Sequence, residues 1–228
     1  MNSKILSFFN KIKDLFKFDS HRNIRINISK IKNDKNLYDY GEGYFYQSLS
    51  KINLSGLRNT KFRKDKLNLD KITNNKKILD VGTNAGFLLM EMNNNFHSAL
   101  GIDYNCSLIK IANLVKNYLN INNIEFKCKN IYEFESRQKF DVILSLANHS
   151  TFDSGINNTI KYFDKIINLI NDDGIIVFES HHPKYENLEK FNNHVAYLKK
   201  NFIQISEGEY LTNNFYDYGR KFVILKKI

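Results

Sequence analysis

At residues 77–87 an apolar run, Lys77-Ile78-Leu79-Asp80-Val81, stops at a glycine-bearing turn, Gly82-Thr83-Asn84-Ala85-Gly86, and apolar helical spacing resumes at Phe87. A strand that turns sharply into a helix must hand the chain back to a neighbouring parallel strand, and the rest of the sequence repeats that pattern. Short apolar runs at 99–103, 124–128, 140–146 and 175–179 alternate with helical spacing at 87–94, 107–119 and 157–170. Asp172-Asp173-Gly174 marks the turn before the fifth run. A helix at 187–200 then precedes two strands, 202–207 and 220–226, joined by a polar turn. Runs that are apolar throughout belong to strands buried on both faces. The expected fold is a doubly wound, mostly parallel seven-stranded α/β sheet with an antiparallel C-terminal hairpin.

Upstream of residue 67 the chain changes character. Its net charge of +10 sits almost wholly there: residues 1–66 hold 15 Lys/Arg against 6 Asp/Glu, whereas 67–228 hold 19 against 18. Two units are expected, a basic N-terminal lid at 1–66 and a ligand-binding domain at 67–228. Within the first, 1–18 has helical apolar spacing, 19–43 reads as loop, Tyr44 to Leu49 as the start of a short helix, and Leu54 to Lys66 as a connector. No run approaches the roughly 18 apolar residues of a spanning helix. Lysines 4, 11, 13 and 17 interrupt every candidate leader segment. Cys106 and Cys128 are too few for a disulfide framework and lack metal-ligand spacing. A reducing, cytoplasmic setting follows from that reading.

The turn lies where doubly wound sheets bind ligands, and about twenty residues on the second strand ends at Asp103, placed to accept both hydroxyls of an adenosine ribose. A dinucleotide site needs G-x-G-x-x-G so that backbone can approach the pyrophosphate. Here Asn84 and Phe87 occupy the second and third glycine positions. S-adenosylmethionine (SAM) has no pyrophosphate, and its cationic amino group and sulfonium suit the acid at Asp80. Asp80, Gly82 and Gly86 stand in register with the acid-x-G-x-G-x-G motif of the class I SAM-dependent methyltransferases, which residues 76–180 resemble; Asn84 departs from the motif at its middle glycine. The resemblance implies a Rossmann-like fold with SAM as cofactor. It also implies Gly82, Thr83, Asn84, Gly86 and Phe87 around the methionine part, Asp103 on the ribose and Tyr104 stacked on adenine. Asn130, Ile131 and Leu146 complete that set.

Methyl transfer requires alignment of a nucleophile with the S–CH₃ bond, and for a hydroxyl or amine a base as well. Polar residues expected after strand four are Asn148, His149, Ser150 and Thr151, and after strand five Glu179, Ser180, His181 and His182. His149, His181 and His182 are the candidate bases, since histidine titrates near neutrality. Glu179 with these histidines matches no standard ligand spacing, so no metal is expected. The chain lacks the Asn/Asp-Pro-Pro-Tyr/Phe motif of DNA amino-methylating enzymes, and neither cysteine sits where carbon-5 cytosine methyltransferases keep their nucleophile. Tyr44, Phe45 and Tyr46 could form an apolar lid, with Tyr46 and Glu179 against the acceptor, while Arg58 and Arg63 could fork onto a phosphate or carboxylate.

The leading expectation is O-methylation of a small anionic metabolite, such as a nucleotide-linked or phosphorylated sugar precursor of a surface polysaccharide. The alternatives are an RNA methyltransferase whose basic N-terminal segment holds the phosphate backbone, and a non-catalytic protein that keeps the fold. For 1–18, a basic amphipathic helix lying on an anionic membrane rivals the lid.

Overall fold

The computed structural model describes residues 3–32, 41–149 and 156–228. Seven strands form one sheet: β1 (Lys77–Val81), β2 (Ser98–Asp103), β3 (Ile124–Cys128), β4 (Phe140–Leu146), β5 (Ile170–Glu179), β6 (Phe202–Glu209) and β7 (Lys221–Lys227). Their order is β3-β2-β1-β4-β5-β7-β6. The first five strands pair in parallel, and β7 lies antiparallel between β5 and β6. Chain order runs one way from β1 to β2 and β3, then reverses to β4, so a crevice opens between the C-terminal ends of β1 and β4.

Side chains alternate with the pleat, so each strand feeds two cores. Val142 and Leu144 of β4 face one layer and Ile143 the other; on β7, Phe222 and Ile224 oppose Val223 and Leu225. The first layer is covered by α5 (Phe87–Glu91) and by the Leu108, Ile111, Ala112, Val115 face of α6 (Cys106–Tyr118). The second is covered by α7 (Ile156–Leu169) and α8 (Leu188–Leu198) through Tyr162, Phe163, Ile166, Phe191 and Leu198. Asparagines start these helices: Asn105 accepts from the backbone N–H groups of Ser107 and Leu108, and Asn187 from that of Lys190. Among the described residues no helix is long and apolar enough to cross a membrane.

The N-terminal segment departs from its expected layout. A helix, α2 (Arg22–Lys32), occupies the stretch read as loop and packs on α6, with Ile24 and Ile28 in the first core layer. Tyr44 to Leu49 is not helical: Gln47 pairs with Arg58 and Leu49 with Leu54, around a 3₁₀ turn at Ser50–Ile52. Gly56 permits this fold-back, because a β-carbon there would lie 2.3–2.6 Å from the backbone of Gln47 and Ser48. Helix α3 (Thr60–Lys66), capped by the Asn59 side chain, replaces part of the connector, and α4 (Leu69–Ile72) leads into β1. In the body, β5 starts at Ile170, five residues before its expected start, and its pairing with β4 shifts register between Phe140 and Val142. Cys106 and Cys128 form a disulfide with a Cα–Cα separation of 4.9 Å, correcting the reading that left them unpaired. Their 22-residue separation conceals the contact. Parallel pairing sets Cys128 beside Asp103, and α6 begins three residues later at Cys106.

One carboxylate ties the segment to the sheet. Glu179, fully buried at the end of β5, accepts from Arg58 Nη1 (3.0 Å), Arg63 Nη2 and Nε (2.8 and 2.9 Å) and the Tyr210 hydroxyl (2.8 Å). Arg220 stands 3.8 Å away, and Arg58 Nε donates to Asp217 at 2.5 Å. Burial acts to raise the Glu179 pKa, but Arg58, Arg63 and Arg220 outweigh it and hold the carboxyl well below the usual range. The stabilisation from this depressed pKa is complete above the unfolded value of about 4.3 and is lost progressively as pH falls below it. Removing one member of a buried ionic group strands the others. Glu179→Ala should therefore lower the unfolding free energy at pH 7 by about 3–5 kcal/mol, measured by urea denaturation; a change within experimental error would show that the arginines find water instead.

Candidate functional site

The crevice is built from the turn after β1. Gly86, at φ +71°, opens α5, and a β-carbon there would come within 2.3 Å of the Phe126 ring. Helix and strand can approach this closely only over glycine. Asn84 sits at φ +57°, the left-handed region that asparagine tolerates better than other side-chain-bearing residues, which explains how the turn forms without a middle glycine. Phe87 is buried in the core and tilts against Phe45 at 5.7 Å.

Two carboxylates flank the turn. Asp103 accepts from the backbone N–H of Asn84 (2.8 Å) and that of Asn105 (2.9 Å), one to each oxygen. Burial raises its pKa, opposed by these two hydrogen bonds. A carboxylate offers about four lone-pair sites, so each oxygen keeps one for a further donor. Asp80 is buried beneath the turn, accepting from Thr83 Oγ1 at 2.7 Å; burial pushes it up to about 7 against that hydrogen bond and the charge of Arg63. Tyr104, just past β2, is 45% exposed beside Asp103, as an adenine platform would need to be. Asn130 Oδ1 accepts from the Tyr132 N–H, and Ile131 is packed into the second core layer. Leu146, half-buried at the end of β4, leads into Ala147 at φ +58°.

Asn148 has a structural task that its position in sequence did not reveal. Its Nδ2 donates to the Val81 carbonyl and its Oδ1 accepts from Ser145 Oγ (3.1 Å) and the Tyr162 hydroxyl (2.9 Å). It thereby links the ends of β1 and β4 and packs on Gly82, where an added β-carbon would lie 3.0 Å from its own.

The histidines are brought together, but not toward an open crevice. His149 is wholly buried among Phe163, Phe178, His181 and His194, and its Nε2 meets Glu186 Oε1 at 2.9 Å. Burial lowers its pKa, with Glu186 opposing; among the described residues its Nδ1 is buried without a partner, as suits the acceptor nitrogen of a neutral ring. His181, 4.7 Å from His149, is pushed down to about 3 by burial and then by its neighbours' charge. A group so far below neutrality is a weak base at pH 7. His182, half-buried, has its pKa lowered by burial and packs on Phe215 at 4.6 Å. Ser150 and Thr151 lie outside the described residues.

Glu186 also meets His194 Nδ1 at 2.9 Å and accepts the His181 N–H at 2.6 Å. Ligand atoms from His149, Glu186 and His194 lie within 4.8 Å of one another, a donor set able to hold a metal ion. Hydrogen bonds already join the three, so the group also stands as a clamp holding the loop after β5 to α8. Glu179, expected against the acceptor, is held by the arginines, and nothing in the spacing marked Glu186 or His194.

Arg58 and Arg63, expected as forks for the acceptor, are both buried and paired with Glu179. Tyr44 and Phe45 lie in the core instead of forming a lid. Tyr46 remains half-buried at this end, its hydroxyl accepting from Arg220 Nη2 at 3.2 Å with Arg58 5.9 Å from its ring centre. Burial acts to raise its pKa, yet Arg220, Arg58 and Arg63 bring it below the usual phenol value.

Residues 72–219 match the family model for a methyltransferase domain. Malonyl-[acyl-carrier protein] O-methyltransferases from Acetivibrio thermocellus and Bacillus anthracis are 30% and 28% identical over 105 and 106 residues, 45% and 46% of this chain. Those matches cover 35% and 37% of the relatives, so the chain spans about a third of the length of the curated relatives it matches. The solved N-methyltransferase NodS of Bradyrhizobium japonicum, in complex with S-adenosylhomocysteine, superposes at TM-score 0.63 with 13% identity, covering 90% of this chain and 98% of NodS. A SAM-dependent methyltransferase from Clostridium acetobutylicum gives 0.59 with 12% identity, covering 78% and 94%. With the switch-point turn and its two carboxylates in place, the chain belongs to the methyltransferase-domain family, in the SAM-dependent class of Rossmann-like fold.

Proposed function

We propose that the protein transfers the methyl group of SAM to an oxygen of a small, hydroxylated, anionic acceptor, with a nucleotide-linked or phosphorylated sugar as the acceptor to test first. The observation that carries the methyl-transfer reading is Asp103, held by two backbone N–H groups at the mouth of the glycine turn with one lone pair left on each oxygen. Ribose hydroxyls would complete that shell, Tyr104 would cover the adenine, and Asp80 would face the amino group of the methionine part.

The acceptor would lie over the ends of β4 and β5. There three arginines, 58, 63 and 220, face the two carboxylates of Glu179 and Asp217, and the third cation favours the ionised form of Tyr46. Tyr46 is the residue we assign as base. Its pKa is lowered by the three arginines, whereas His149 is sealed and His181 is far too acidic. An acceptor hydroxyl would give its proton to the phenolate oxygen as the methyl group arrives. The O-methyltransferase names of the matched relatives support oxygen as the acceptor atom.

Three measurements test this reading. Asp103→Ala should weaken SAM binding by roughly 1.5–3 kcal/mol, the loss of charge-assisted hydrogen bonds; unchanged affinity by calorimetry would remove Asp103 from the site. SAM affinity should rise with pH through about 7, because the cationic ligand needs Asp80 ionised. Below that pH the dissociation constant should grow toward tenfold per unit, and Asp80→Asn should flatten the profile. Finally, Tyr46→Phe should reduce kcat by about 10²–10⁴-fold with the SAM dissociation constant unchanged. That assay uses labelled SAM against a panel of nucleotide sugars and sugar phosphates, with total RNA in parallel. Salt-sensitive labelling of RNA alone would replace the small acceptor with a nucleic acid.

A further inference from the structure

Helix α1 (Ser3–Leu15) is mounted inside out. Its 3.6-residue repeat gathers Ile5, Phe8, Phe9, Ile12, Leu15 and Phe16 on one stripe, the face that a helix on a soluble domain ordinarily turns to the core. Here that stripe faces outward, with Phe8 60% and Phe16 71% exposed, while the polar Ser7 and Asp14 are buried. Hydrogen bonds fix this orientation. Ser7 donates to the Gly41 carbonyl and Asn10 Nδ2 to the Gly56 carbonyl at 3.2 Å. Asp14 accepts from the Tyr44 hydroxyl (2.9 Å), the Ser55 N–H (2.6 Å) and Lys17 (2.7 Å). Rotating the stripe inward would break all of these.

Within the helix, the charged residues that border the stripe are basic. Lys4 and Lys11 border it on one side and Lys13 on the other, whereas Asp14, the helix's single acid, is turned inward and paired. Just beyond the helix Phe18 is 80% exposed, with the Arg22 guanidinium 5.1 Å from its ring centre. Phenylalanines flanked by cations, on a helix lying flat against its own protein, are the features of a segment that inserts at the headgroup level of an anionic bilayer. A second copy of the chain would cover the phenylalanines too, but it would bring the two sets of lysines together.

We propose that α1 docks this protein on anionic membrane surfaces, its phenylalanines entering the interface and Lys4, Lys11 and Lys13 meeting lipid phosphates. The inference does not depend on the acceptor.

Co-sedimentation of the full chain with vesicles tests it, using phosphatidylcholine alone and an equimolar mixture with phosphatidylglycerol. The protein should pellet with the mixed vesicles and far less with the neutral ones. Phe8→Ser/Phe16→Ser should cut partitioning by roughly tenfold or more, since binding scales with inserted apolar area, and Lys11→Glu/Lys13→Glu should abolish the preference for anionic lipid. All four substitutions lie on the outer side of the helix, so SAM affinity and circular dichroism should match the unaltered protein. Absence of pelleting, or pelleting indifferent to both double variants, would overturn the proposal. So would a dimer in analytical ultracentrifugation that Phe8→Ser/Phe16→Ser disperses, which would give the face to a second copy. Failure to bind SAM would count against the methyltransferase reading and leave the membrane result standing.

Discussion

A fully buried carboxylate at the end of β5 governs how this chain is assembled. Glu179 would be very costly to bury alone, and so would the three arginines around it. Each makes the others' burial tolerable, and they come from different parts of the chain: Arg58 and Arg63 from the N-terminal segment, Glu179 from the central sheet, Arg220 and Tyr210 from the C-terminal hairpin region. The ionic group therefore acts as a keystone between three regions that hydrophobic packing alone would leave free to slide. It also explains why residues that looked like acceptor ligands are interior. Two arginines five residues apart can form a fork for a soluble anion, but the same pair satisfies an internal carboxylate just as well, and local spacing does not distinguish the two.

The parts of the fold legible in the sequence were those set by local patterning. The apolar runs of β1 to β4, the helix spacing of α6 and the closing hairpin appear where their residues put them, because each is stabilised by the face it buries. The cofactor turn was legible because its chemistry lies in ten consecutive residues. Its departure at Asn84 follows from backbone tolerance for a left-handed conformation at asparagine. The readings that failed depend on distance in sequence. The Cys106–Cys128 bond requires knowing that β3 lies beside β2, and the 44–58 fold-back requires Gly56 to receive the backbone of Gln47. The His149–Glu186–His194 group joins a strand end, a loop and a helix. No window of sequence contains all three.

The two halves of the site differ in what organises them. On the cofactor side, backbone N–H groups and a buried asparagine set the geometry: Asn84 and Asn105 fix Asp103, and Asn148 joins the ends of β1 and β4. Around Glu179 at the end of β5 the geometry is ionic and depends on the N-terminal segment, since Arg58 and Arg63 belong to it.

That dependence changes how the N-terminal segment should be understood. A basic lid over a self-sufficient domain would be removable at residue 66, with cofactor binding intact. Here Ile24, Ile28, Phe45, Leu49, Ile52 and Leu54 lie in the same core layer as Phe87 and Leu89 of α5 and Ile111 of α6. Removing residues 1–66 would strip apolar cover from the helix that begins at Gly86, and so from the cofactor turn itself. It would also take away two of the three arginines at Glu179. Deletion would thus confound loss of the acceptor site with loss of the fold. Point changes at Tyr46 and on the outer face of α1 separate the roles, because neither Tyr46 nor the outward phenylalanines contribute to that core layer. The segment is better described as three structures in sequence: a helix whose apolar stripe faces outward, a helix that completes the core, and a fold-back that brings Arg58 to Glu179.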